Sequence, residues 1–128
     1  MKNKELSDFL PNKNSNYFIK NKQYSNRDKI NKEEIIKLVK TVMDPEIPVN
    51  LYDLGLIYQI NISDNNNIKI KMTLTNPNCP VAGSMPKSVG KSLEKLKNFN
   101  TIEVILVWEP KWHKDLMSEE AKLALDIF

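Results

Sequence analysis

The chain has one cysteine, Cys79, set between two prolines in Asn76-Pro77-Asn78-Cys79-Pro80. Proline at position 80 suits the first position of a helical turn, which makes Cys79 its N-cap. There the free backbone N–H groups and the positive end of the helix dipole favour a thiolate. A thiolate is the form that a metal ligand or a nucleophile must take. The plainer alternative is an inert buried thiol, since free cysteines are among the most buried residues.

Three further groups of residues can reach the same place. Asp53 stands in Tyr52-Asp53-Leu54-Gly55-Leu56 at the start of an expected strand. If that strand forms a hairpin with the next, Asp53 comes near Thr75 and the cysteine loop. Capping the turn before Gly55 is the other use of this carboxylate, and the two are compatible. Trp108 and Trp112, four apart beyond a third strand, can wall the pocket, present an anchor to a partner, or simply cover the core. Met85 is a third partner-surface candidate. His113 is the only histidine and a candidate second metal ligand beside Cys79, set against the commoner solvated loop histidine. Cys79, His113 and Asp53 have the types of a nucleophile, base and orienter. No oxyanion site or substrate pocket accompanies them in the sequence, so the reading is of a non-enzyme. The three glycines, Gly55, Gly83 and Gly90, form neither a P-loop nor a GxGxxG turn.

These residues need elements to hold them. Ile35, Leu38, Val39 and Val42 repeat at helical spacing behind Asn31, a good N-cap, and Pro45 ends the helix. Leu54–Ile62 reads as a strand, Asp64–Asn67 as a turn, and Ile68, Ile70, Met72 and Leu74 alternate with polar residues in a second strand. A helix from about Met85 to Leu96, a strand from Thr101 to Trp108 and a helix from Ser118 follow. The expected fold is α+β, one small domain in the order α-β-β-α-β-α. A three-stranded mixed sheet carries its helices mainly on one face. Both the cysteine loop and the tryptophan pair then lie at the same edge of that sheet.

The domain is expected over residues 31–128, with 1–30 a disordered tail rich in Asn and Lys. Residues 1–32 hold eight basic against three acidic side chains, and residues 33–128 eleven against thirteen. The basic excess therefore sits in the tail, which argues against nucleic acid as partner. One cysteine excludes an internal disulfide and any CxxC motif, and no apolar run is long enough to span a bilayer. With no apolar leader either, a reducing cytoplasm and no membrane contact are the expectation.

Three blocks of the sequence carry a resemblance. Asp44–Tyr58, containing Tyr52-Asp53-Leu54-Gly55, resembles the opening signature of the SufT-type, PaaD-like family, also called MIP-eighteen. Met72–Pro80 resembles its cysteine loop, and Trp108-Glu109-Pro110-Lys111-Trp112 with Met117–Ala121 its C-terminal block. Asn78 stands where the family usually has Gly, His113 replaces a usual Thr or similar residue, and Asp126 sits where a Gly often follows. The resemblance implies an accessory factor in iron–sulfur protein maturation, with Cys79 functional, Asp53 beside it and Thr75 a weaker third. It also implies association with scaffold or carrier proteins of the assembly system and with client apoproteins. A cluster or iron would be bound transiently and shared with another chain, in a homodimer or with a partner, because one thiolate falls short of the several a cluster needs. The alternative is a thiol-independent adaptor bridging scaffold and client.

Overall fold

A computed structural model describes residues 16–23, 28–44, 47–75 and 84–125. In chain order its elements are β1 (Tyr17–Lys20), α1 (Lys32–Val39), β2 (Ile57–Ile62), β3 (Asn67–Met72), α2 (Met85–Leu93), β4 (Thr101–Leu106) and α3 (Glu119–Leu125). Short 3-10 turns lie at Glu94–Leu96 and Lys114–Leu116. The strands form one mixed sheet in the order β1-β4-β3-β2. β2 and β3 make an antiparallel hairpin, β3 and β4 run parallel, and β1 is antiparallel to β4. The α+β class stands with two corrections. The sheet has four strands rather than three, and the chain enters it through β1 before reaching the first helix.

The extra strand comes from the stretch expected to be a tail. Four residues are too few to show a period, and what orders them lies far away in sequence. The Tyr17 ring rests on Gly90 of α2, where any Cβ would overlap it, and the Tyr17 hydroxyl donates to the Glu94 carboxylate. Asn16 Oδ1 accepts the Leu106 N–H at 3.0 Å. Asn21 Nδ2 donates to the carbonyls of Lys97 and Phe99, each at 3.0 Å.

The other elements follow from their patterns. Asn31 Oδ1 accepts from the Glu34 N–H at 2.9 Å and Glu34 Oε1 accepts from the Asn31 N–H at 3.3 Å, a reciprocal capping box that starts α1. Ile35 and Val39 are buried on its inner side. Ile68, Ile70 and Met72 of β3, Ile102, Val104 and Leu106 of β4, and Val89 and Leu93 of α2 complete the core. Their alternation buries one face of the sheet, while Lys69 and Phe18 on the other are exposed. At the hairpin tip Asn66 adopts φ 60°, in the left-handed region that Asn tolerates. Its buried carboxamide accepts from the Ile30 N–H at 3.1 Å and donates to the carbonyls of Asp28 and Asn98 at 2.8 and 3.0 Å. Residues 28–30 are thereby tied to the hairpin before α1 begins.

Strand β2 opens at Ile57, three residues later than expected, because residues 51–55 are consecutive turns. No helix among the described residues is long and apolar enough to cross a membrane.

Candidate functional site

The turn at 51–55 is built from below and clamped from above. Leu51, Leu54 and Leu56 are fully buried beneath it. Asn50 closes it locally, accepting from the Asp53 N–H and donating to Asp53 Oδ2, both at 2.8 Å. Gly55 has φ 82°, and the Leu116 backbone lies so close that a Cβ would collide with it. Glycine is the residue that meets both demands. The C-terminal block then adds two bonds. Trp112 Nε1 donates to the Leu54 carbonyl at 2.7 Å, and the Ser118 N–H donates to the Asp53 carbonyl at 2.8 Å. Ser118 goes on to start α3, its Oγ accepting from the Ala121 N–H at 3.1 Å.

Beside this turn, at the ends of the parallel pair β3 and β4, lies a cleft of about 160 Å³. Thr73, Leu74 and Thr75 form one wall, and Trp108, Glu109, Lys111 and Trp112 the other. Both indoles are half-buried, whereas Glu109 and Lys111 are exposed, one charge of each sign. The 108–112 wall is held by Tyr58, whose hydroxyl donates to the Pro110 carbonyl at 2.8 Å. Burial pushes the Tyr58 phenol above its ordinary pKa. From Thr75 the chain passes into residues 76–83 and returns at Ser84. Cys79, with its expected N-cap position, lies outside the described residues.

The cleft brings Thr75, Trp108 and Trp112 together. Asp53 lines a different depression, of about 230 Å³, with Met43, Pro48, Val49, Asn50, Glu120, Ala121 and Ala124. The hairpin argument extended β2 back through residue 54, but the turn directs the Asp53 carboxylate to Asn50 instead. Met85 is no surface anchor: it is 5% exposed, packed into the core as the first residue of α2. His113 is exposed, 3.8 Å from the Asp115 carboxylate, and precedes the 3-10 turn at 114–116. Among the described residues no three His, Cys, Asp or Glu side chains gather closely enough to hold a metal ion. Thr73, Lys111 and Asn50 also belong to these walls and turns, and the sequence positions of Thr73 and Lys111 do not single them out. Thr73 is polar at an alternation position assigned to the outer face, yet it is buried. Asn50 carried a usable signal, an Asx residue three before Asp53 in a proline-rich turn.

The family model described as iron–sulfur cluster assembly protein matches residues 32–105. The chain belongs to the iron–sulfur cluster assembly protein family. A Porphyromonas gingivalis protein named Fe-S protein maturation auxiliary factor is 46% identical over 93 residues, covering 73% of this chain and 89% of that one. The Staphylococcus aureus Fe-S protein maturation auxiliary factor SufT is 37% identical over 86 residues, 67% of this chain and 98% of that one. Among solved structures, the DUF59 domain from Bacillus anthracis superposes with a TM-score of 0.71 at 40% identity, covering 75% of this chain and 92% of that one. Within this family member the turn at 51–55, strands β2 and β3 and all but the last residue of β4 fall inside the matched stretch, whereas β1 precedes it.

Proposed function

We propose that the protein is an accessory factor in iron–sulfur cluster assembly, which takes up a cluster or iron through Cys79 and relays it to client apoproteins. The observation that supports this most is the placement of the Thr75–Trp108–Trp112 cleft. Its first wall ends at Thr75, four residues before the chain's single cysteine, and its second wall is rigidly buttressed. The cluster is cargo in this reading. One thiolate per chain leaves the remaining ligands to a second chain or a small thiol, which suits transfer more than storage. Scaffold or carrier proteins and client apoproteins are the partners it implies.

Transfer of a cluster from a loaded scaffold to an apo-acceptor tests the reading. The full chain accelerates acceptor loading, and Cys79→Ser removes the acceleration. Equal acceleration by both proteins contradicts the thiol's role.

The half-buried indoles favour one second reading, an adaptor that docks a client or scaffold in the cleft without using its thiol. Trp108→Ala is the better probe, because Trp112 also clamps the Leu54 carbonyl. In the adaptor reading Trp108→Ala loses client maturation while Cys79→Ser keeps it.

A further inference from the structure

A depression of about 490 Å³ lies at the Thr101 end of the sheet, between residues 19–23 and 94–99, whereas the Trp108 cleft lies beyond Leu106. Asn21 pins its two walls together. The Asn21 N–H donates to the Asn100 carbonyl at 2.9 Å, and its Nδ2 to the carbonyls of Lys97 and Phe99. Its Oδ1 accepts the Gln23 N–H at 3.0 Å, so the shape is preformed. Lys20, Lys22 and Lys97 stand around it, all exposed, and among the described residues none of them has a carboxylate partner. The acidic residue in the lining, Glu94, accepts from the Tyr17 hydroxyl. Lys20 and Lys22 belong to the basic stretch before α1, so part of its charge is laid on the fold. Lys97 has φ 64°, in the left-handed region that costs most side chains and that Asn tolerates. At the hairpin tip the chain meets the same demand with Asn66. The turn needs this conformation, which brings the Lys97 carbonyl to Asn21, but it does not need a lysine. What the lysine adds is its charge.

We propose that this depression docks an acidic, partly apolar peptide segment of a partner protein. Three ammonium groups meet its carboxylates, and the half-buried Ile19 offers an apolar contact between them. The exposed Gln23 carboxamide can both donate to and accept from a peptide backbone. The lining has neither the arginine fork nor the exposed aromatic face that phosphate-rich ligands and nucleic acids exploit, Phe99 being 5% exposed. The site stands partly on residues that precede the matched family stretch, and it uses neither Cys79 nor the Trp108 cleft. Its failure or success is therefore separate from that of the assembly role.

Fluorescence anisotropy of the full chain with a labelled octapeptide alternating glutamate and leucine supplies the test. A peptide with glutamine in place of glutamate, an oligothymidylate and inorganic tripolyphosphate serve as competitors. Saturable binding that weakens as salt is raised is expected. Lys97→Asn weakens it about threefold without lowering the melting temperature, and adding Lys20→Gln and Lys22→Gln brings the loss to about tenfold. Removing the same charge elsewhere on the surface, by Lys37→Gln, Lys69→Gln and Lys87→Gln, leaves the affinity within about twofold. Cys79→Ser binds as the wild type does. The proposal is overturned by absence of binding, by equal affinity for the glutamine peptide, or by an equal loss from the distant lysines. It is also overturned by a lower melting temperature in Lys97→Asn, or by either polyanion displacing the peptide as well as the unlabelled peptide does.

Discussion

The turn at Asp53–Gly55 and the strand β1 both sit at a margin of the sheet, but they are held there by different means. The turn is gripped through backbone: a Trp112 indole on the Leu54 carbonyl, the Ser118 N–H on the Asp53 carbonyl, and Leu116 pressed against a left-handed Gly55. Strand β1 is held by its antiparallel ladder to β4 and, beyond the ladder, by one ring on Gly90 and the carboxamides of Asn16 and Asn21. The turn is fixed by a distant block of chain bonding its carbonyls, whereas β1 adds side-chain anchors to a four-residue ladder. The clamped turn therefore lies beside the cleft and the anchored strand at the opposite margin of the sheet.

The largest effect should come from Gly55→Ala, which combines a strained φ with collision against Leu116. We expect a loss of about 3 kcal/mol and a fall in melting temperature of roughly 10 °C, read by thermal circular dichroism. A change within a degree or two would mean that the clamp is not rigid. Tyr17→Ala should cost less, about 1.5 kcal/mol, and its effect should be local. Hydrogen exchange is then expected to quicken at the β4 amides while β2 and β3 keep their protection. Uniform quickening across the sheet would erase the contrast between the two margins.

Trp112→Phe sharpens the comparison from the other side. It keeps an aromatic wall but removes the bond to the Leu54 carbonyl, costing about 1 kcal/mol in chemical denaturation. The smallest effect is a pH dependence. Burial first, then the Glu94 carboxylate that its hydroxyl meets, push Tyr17 from an ordinary 10.0 up to about 12. The folded state thus favours the neutral phenol. Its contribution is complete below pH 10 and lost as pH rises through about 12. Tyrosinate absorbance should show one late-ionising group fewer in Tyr17→Phe than in the wild type; identical curves would leave β1 without this anchor.

Much of the core was legible because its signals are local. The stripe Ile35–Val42 behind Asn31 and the alternation Ile68–Leu74 each contain enough residues to show a period, and both became core. Strand β1 was not legible, since Tyr17–Lys20 is ordered by Gly90, Glu94 and Phe99, more than seventy residues away. Asparagine content in residues 1–30 pointed to a disordered tail, yet Asn16 and Asn21 each satisfy a specific backbone group, as Asn31, Asn50 and Asn66 do in the domain. At the site, the residue types around Trp108 and Thr75 pointed to one pocket and these residues do share a cleft. Asp53 was drawn toward them only by extending β2 through a turn that Asn50 and Gly55 bend away. Met85 opens its helix where expected, but its side chain packs into the core instead of facing a partner.

The central claim is that one thiolate, Cys79, carries the cargo. Anaerobic incubation of the full chain with ferrous iron and sulfide tests it most directly, followed through visible charge-transfer absorption and iron content, wild type against Cys79→Ser. We predict cluster or iron uptake by the wild type at less than one cluster per chain, as a shared ligand set demands, and none by Cys79→Ser. Equal uptake by both proteins would contradict the claim.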